Sequence, residues 1–69
     1  MKVERLRIEV SSNDRAMILP SANWCVEIGN GLFWLIFSDR APVEKVEAFV
    51  SAFNDLQASI QDIEAAGRD

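Results

Sequence analysis

The sequence predicts an α+β protein in which a short antiparallel β-meander is followed by one long C-terminal helix. Apolar and polar residues alternate in parts of the first half of the chain, whereas from Val46 onward apolar residues recur at spacings of three and four. Between two apolar segments lies Gly29-Asn30-Gly31. Asparagine and glycine readily adopt the positive φ angles of tight turns, so this tripeptide predicts a β-hairpin.

The helix is predicted from about Pro42 to about Ala66, because proline is tolerated only in the first turn and Gly67 is a natural stop. Ser38 or Asp39 is expected to cap its start. The helix would be about 37 Å long, whereas seven-residue strands reach only about 23 Å. Its apolar seam has the a/d rhythm of a helix that packs lengthwise against another helix. The seam consists of Val46, Phe49, Phe53, Leu56, Ile60 and Ile63.

This seam predicts a homodimer, with the six seam residues as its interface. The surplus length of the helix, which carries Leu56, Ile60 and Ile63, needs a partner, most simply the same helix of a second copy. The size of the chain points the same way. A single core in 69 residues supplies only about 3–5 kcal/mol of net stability unless disulfides, a metal or oligomerisation add to it. One cysteine, Cys25, and no histidine exclude the first two, so oligomerisation remains.

The strands are expected within residues 2–10, 17–28 and 32–38. Pro20 interrupts the second segment, which forms either two short strands or one bent edge strand, so the sheet has three strands or four. The third segment is apolar on both faces, because Leu32, Trp34 and Ile36 alternate with Phe33, Leu35 and Phe37. Its second face also needs cover, and the dimer contact could therefore involve the helix, the sheet or both.

The net charge of −4 and its distribution argue against direct binding of nucleic acid. The helix from Val43 to Ala66 carries five acids and a single base, Lys45, and the chain lacks the basic stripe that neutralises phosphates. The longest apolar run, Leu32 to Phe37, is too short to span a bilayer, and no apolar core of a secretory signal is visible. With one unpaired cysteine, we expect a soluble protein of a reducing cytoplasm that contacts no membrane.

Catalysis is not expected from this set of side chains. Without histidine there is no common general base and no Ser-His or Cys-His couple. Cys25 lies in a predicted strand and is interpreted as a small, buried hydrophobic residue of the core. We expect neither a metal nor a cofactor. Protein binding remains. Trp24 and Trp34 flank the hairpin turn and could pair across the two strands, or belong to the core or to the dimer contact. As candidate partner-binding residues we take Trp24, Trp34, Arg15 and Arg40, since Trp and Arg dominate interface energies.

A small, acidic, dimeric protein of this layout resembles the phage-encoded quorum-sensing anti-activator of Pseudomonas phages. The resemblance covers the whole chain in length, meander-plus-helix layout and expected dimerisation, and no binding residue is carried over from it. It implies binding to a LuxR-type transcriptional activator of the bacterial host, which blocks DNA binding by that activator, and also to the assembly ATPase of type IV pili. The protein would then act in the host cytoplasm.

Two alternatives come from the residues themselves. The acidic helix would suit a DNA mimic such as an anti-CRISPR protein, with Asp55, Asp62 and Glu64 in the place of phosphates. A solvated helix face, kept soluble by its carboxylates, is the simpler interpretation of the same acids. The third interpretation is a structural dimerisation module without an inhibitory role.

Overall fold

The computed structural model describes residues 7–67 and shows an α+β fold. Three strands, β1 (Ala16–Leu19), β2 (Ala22–Ile28) and β3 (Phe33–Ile36), form one antiparallel sheet in the order β1-β2-β3. A single helix follows, α1 (Val43–Ala66). The predicted three-stranded meander with a long C-terminal helix is therefore confirmed, whereas the origin of two of its strands differs from the expectation.

The strand predicted within residues 2–10 is not one of the three. Residues 2–6 lie outside the described part of the chain, and residues 7–10 belong to no strand and are exposed. Residues 17–28 instead provide two strands, which is one of the two outcomes expected from Pro20. β1 and β2 pair as a hairpin around Pro20 and Ser21, and the register shifts between Ile18 and Leu19 next to this turn.

The hairpin predicted from Gly29-Asn30-Gly31 is present, with a loop that extends to Leu32 before β3 begins. Gly29 has a φ of 67° and Gly31 a φ of 83°, values that residues other than glycine rarely adopt. The amide of Gly31 donates to the carbonyl of Gly29 at 2.9 Å and tightens the turn. Gly29 also lacks room for a side chain, because an added Cβ would lie 2.9 Å from Cβ of Leu32.

The core of the described residues lies between one face of the sheet and α1. Four apolar residues are buried there: Ala16, Val26, Ile28 and Val46. Others pack against them at the margin and are partly buried: Ile18, Phe33, Leu35, Ala41, Val50 and Phe53. This is a small core for a protein whose net stability depends on buried apolar area, and it leaves many large apolar side chains at the surface.

The helix begins and ends close to the predicted positions, but its cap differs. Pro42 is the N-cap residue and no side chain bonds to the first turn, so the prediction of a cap by Ser38 or Asp39 is wrong. Oγ of Ser38 instead accepts from the amide of Arg40 at 3.1 Å, within the loop that precedes the helix. The helix backbone lies over β1 and β2, whereas β3, at the edge of the sheet, reaches the core only through the side chains of Phe33 and Leu35. Within residues 7–67, no helix has the length and apolar character needed to cross a membrane.

Candidate protein-interaction surfaces

The predicted helix seam is divided between the inside and the outside of the chain. Every second member faces the sheet: Val46 is buried, and Phe53 and Ile60 are partly buried. The alternate members point outward, with exposed fractions of 39% for Phe49, 56% for Leu56 and 72% for Ile63. In the single chain, half of the seam thus packs against the core. The other half forms an outer row of three large apolar side chains, of which Leu56 and Ile63 are mostly exposed and Phe49 is partly exposed.

The helix has this orientation because a row of polar residues next to the seam forms hydrogen bonds to the rest of the chain. Asn54, Gln57 and Gln61 follow one another at spacings of three and four, and we call these three residues the polar clasp. Gln57 is buried, and its Nε2 donates to the carbonyl of Ser11 at 2.6 Å and to that of Asp14 at 3.2 Å. Sequence reasoning missed the clasp, although its 3-4 spacing parallel to the seam was a usable signal.

Asn54 closes the open edge of β1. Its Oδ1 accepts from the amide of Ala16 at 2.7 Å, and its Nδ2 donates to the carbonyl of the same residue at 3.1 Å. The side-chain amide therefore pairs with the backbone as a neighbouring strand would. The amide and carbonyl of Ala16 are therefore no longer open at this edge for pairing with another chain.

The predicted partner-binding arginines have different surroundings. Arg15 is partly buried, because its guanidinium donates to the carbonyl of Ser12 at 2.7 Å and to Oε1 of Gln61. Arg15 thus holds the loop before β1 against the second half of the helix. Arg40 is exposed in the loop before the helix. The start of the helix and Gln61 are about 28 Å apart along the helix axis. The two arginines do not share a surface.

The two tryptophans lie on opposite faces of the sheet, so the expected pair across the hairpin is not formed. Trp34 lies opposite Glu27 in the pairing of β2 with β3, so these two residues share the outer face of the sheet. Trp24 is two residues from the buried Val26 on β2 and therefore lies on the inner face. Trp24 is 36% exposed, and Trp34 is 59% exposed on the outer face. Of the two tryptophans, Trp34 is therefore the more accessible anchor.

Trp34 belongs to an uncovered apolar surface, which we call the outer sheet face. Strand register places Met17, Glu27 and Trp34 side by side across all three strands. The next pair along the sheet is Cys25 opposite Ile36, and Ile36 is 70% exposed. The thiol of Cys25 is free and only partly buried, in contrast to the expected core position. The sequence predicted that the second apolar face of β3 needs cover. That face is the exposed surface that carries Trp34 and Ile36.

A second apolar feature lies where the helix begins. The rings of Phe37 and Phe49 meet edge to face with centroids 6.0 Å apart. Beside them is a hollow of about 200 Å³. Its lining residues are Phe37, Ala41, Lys45, Val46 and Phe49. The hollow is continuous with the outer row of the helix through Phe49.

The acidic residues proposed for DNA mimicry do not all lie on one side of the helix. Oε1 of Glu64 accepts from Oγ of Ser12 at 2.6 Å, on the side of the helix that faces its own loop. Asp55 and Asp62 are exposed and lie two turns apart on another side of the helix. Among residues 7–67, no three His, Cys, Asp or Glu side chains come close enough together to hold a metal ion.

No protein-family model, no curated protein and no solved structure matches this chain.

Proposed function

We propose that this protein acts by contact alone, as a homodimeric phage or mobile-element inhibitor of a host bacterial protein. The outer sheet face supports this proposal most directly. It presents Trp34 and Ile36, two large side chains that are 59% and 70% exposed, on rigid paired strands. Exposed apolar patches on rigid elements are typical of protein-binding sites, and tryptophan is the side chain most often found at their energetic centre.

Glu27 defines the chemistry of the partner. Its carboxylate lies between Met17 and Trp34 in the same row of the outer sheet face and is partly exposed. A partner that covers this row must supply a cation for the carboxylate, since burying an unpaired charge is costly. An apolar patch that includes an arginine or lysine therefore fits best. DNA-binding domains carry basic surfaces, so we take a LuxR-type transcriptional activator as the first target and a type IV pilus assembly ATPase as the second.

The proposed mechanism is occlusion. A small protein seated on the basic surface of an activator removes that surface from DNA, because phosphate contacts provide most of the affinity for DNA. No group on the inhibitor needs to react. Inhibition is then stoichiometric with the dimer, and it weakens as salt screens the contact of Glu27.

The test is the binding of a purified LuxR-type activator to its operator DNA, measured by mobility shift with increasing amounts of this protein. The wild type is expected to abolish the shift. Trp34→Ala should weaken inhibition by about 30-fold, since an anchor of this kind contributes about 2 kcal/mol or more. Val43→Ala is the matched control, because Val43 is an exposed apolar residue at the start of the helix, away from the outer sheet face.

Two results would overturn the proposal. If the wild type leaves both the activator–DNA complex and the pilus ATPase unaffected, the target class is wrong. If Trp34→Ala inhibits as well as Val43→Ala does, the outer sheet face is not the binding site. In the second case, loss of inhibition in a variant with Asp55 and Asp62 replaced by asparagine would favour DNA mimicry.

A further inference from the structure

The outer side of α1 carries large and small residues in strict alternation. The alternation runs at spacings of three and four over residues 49–66, and all its members are exposed. We call this set the helix stripe: Phe49, Ala52, Leu56, Ser59, Ile63 and Ala66. It shares its three large members, Phe49, Leu56 and Ile63, with the predicted seam. The other seam residues face the sheet and do not belong to the stripe, whose remaining members are small. The stripe is about 26 Å long.

We propose that a second copy of the chain packs antiparallel along this stripe, large side chains against small ones. In the antiparallel register Phe49 of one copy lies opposite Ala66 of the other, and Leu56 lies opposite Ser59. Ile63 then lies opposite Ala52, so each of the six layers combines one large and one small residue. A parallel pair would place Phe49 against Phe49 and Ala52 against Ala52. Its layers would be alternately overfilled and empty, which close packing disfavours.

The hollow at the start of the helix favours the same orientation. An antiparallel partner brings its last turn, with Ile63 and Ala66, to the hollow next to Phe49. It also brings the carbonyl end of its helix towards Lys45, which lines that hollow. The last turn of the helix has no basic residue of its own, and a cation near the carbonyl end of a helix is favourable.

The area of this contact places it among weak interfaces. The stripe is about 26 Å long and the helix about 11 Å wide, so the paired side offers roughly 290 Å² per copy. A stable interface of standard size buries about 800 Å² per partner. The hollow adds to the smaller figure without doubling it, and the expected dimer is therefore a weak one.

The antiparallel register has an electrostatic signature. Asp55 and Asp62 flank the stripe on one side, and antiparallel packing brings Asp55 of one copy beside Asp62 of the other, twice per dimer. In a parallel pair the two acidic rows lie on opposite sides of the contact. Asp55→Asn should therefore tighten an antiparallel dimer by roughly two- to fivefold, as expected for removing two like-charge pairs on exposed helices, and leave a parallel dimer unchanged.

Disulfide cross-linking decides the orientation. In a Cys25→Ser background, a chain with both Ala52→Cys and Ile63→Cys should form a covalent dimer on mild oxidation. Within one chain these positions are about 16 Å apart along the helix, too far for a disulfide. Ala52→Cys alone is the matched control and should stay monomeric in a denaturing gel. Circular dichroism confirms that each variant is folded, and sedimentation of the Cys25→Ser protein over a range of concentrations gives the association constant.

The proposal fails if Ala52→Cys alone cross-links as well as the double variant does, because that is the result for a parallel pair. It also fails if sedimentation shows a dimer that neither variant can trap, as pairing at the β3 edges would give, or a monomer at all concentrations up to about 1 mM. The inference rests on the homodimer in the proposed function. Because its readout is cross-linking, it can fail while the inhibition of an activator by Trp34 stands.

Discussion

Gln57 offers the sharpest test of how the fold is held together. It is the one buried polar side chain of the described residues, and both of its hydrogen bonds are donated by Nε2, to the carbonyls of Ser11 and Asp14. Gln57→Glu keeps the shape of the side chain and replaces the donor by a carboxylate oxygen. That oxygen would face two carbonyl oxygens at distances of about 2.6 and 3.2 Å.

The expected loss can be worked out from these contacts. Two hydrogen bonds contribute about 1 kcal/mol each, and burying a carboxylate without a partner adds further cost. We expect a decrease in the free energy of unfolding of about 3 kcal/mol or more at pH 7, against a total of about 3–5 kcal/mol for a core of this size. Gln57→Glu should therefore retain at most about 2 kcal/mol of net stability at neutral pH, and circular dichroism at 222 nm should show that it unfolds at a much lower urea concentration than the wild type.

The pH dependence has a definite sign. Burial and the two facing carbonyls raise the folded-state pKa of the introduced carboxyl above about 4.3, its unfolded value. The destabilisation is thus complete above the folded-state pKa and decreases as the pH falls through that pKa, because the protonated carboxyl can donate to one carbonyl again. Urea denaturation between pH 4 and pH 8, compared with the wild type at each pH, should show this recovery at the acidic end.

Gln61→Glu is the control for this substitution. It makes the same chemical change one turn further along the helix, where Oε1 of Gln61 already accepts from the guanidinium of Arg15. A carboxylate there gains a cation and loses the bond that Nε2 of Gln61 donates to Oδ1 of the exposed Asn13 at 2.6 Å. The net change in stability is expected to stay within about 1 kcal/mol, since near-surface ion pairs contribute about 0–1 kcal/mol and so does a single exposed hydrogen bond. If Gln57→Glu and Gln61→Glu are equally stable at pH 7, the role assigned to the polar clasp is refuted.

Two further comparisons use the same denaturation assay. Gly29→Ala should lower the free energy of unfolding by about 2 kcal/mol or more, because it combines a positive φ with a contact of 2.9 Å to Cβ of Leu32. Gly31→Ala, which has a positive φ but open space, should lose only about 1 kcal/mol, and equal losses would contradict the steric argument. Asn54→Ala should cost about 1–3 kcal/mol by leaving an amide and a carbonyl of β1 unpaired. Ser51→Ala, on the exposed side of the same helix, should stay within about 0.5 kcal/mol, and a similar value for Asn54→Ala would exclude the edge-closing role.

The helix and the second hairpin were predictable because their signals are local. Pro42, Gly67 and the 3-4 spacing define α1 to within one residue at its start, and Gly29-Asn30-Gly31 defines the turn between β2 and β3. Both depend on backbone preferences that a few neighbouring residues determine. The first hairpin was only half predictable, since Pro20 is compatible with a bend or with a turn.

The orientation of the helix was not predictable from its apolar residues alone. Apolar spacing identifies a stripe, but which stripe faces the sheet depends on partners that are distant in sequence. Asn54 binds the first residue of β1, and Gln57 and Gln61 bind the loop before it, all of them 38 to 48 residues earlier in the chain. No local rule links them to these partners. The opposite orientations of Trp24 and Trp34 likewise follow from the register of β2 and β3, which a four-residue loop determines.

The two sides of the helix have different roles, and this difference is the strongest support for the proposal that the protein is a binding module. Amide side chains hold the helix to its own loop, while Phe49, Leu56 and Ile63 face outward. Their exposed fractions add up to about one and two-thirds side chains, so a partner could provide roughly 3–5 kcal/mol per copy by covering them. That is comparable with the net stability expected for the small core itself. A dimer built on the helices also leaves both outer sheet faces free, one per copy. The expected stoichiometry is therefore two target molecules per dimer, with Trp34 at the centre of each contact.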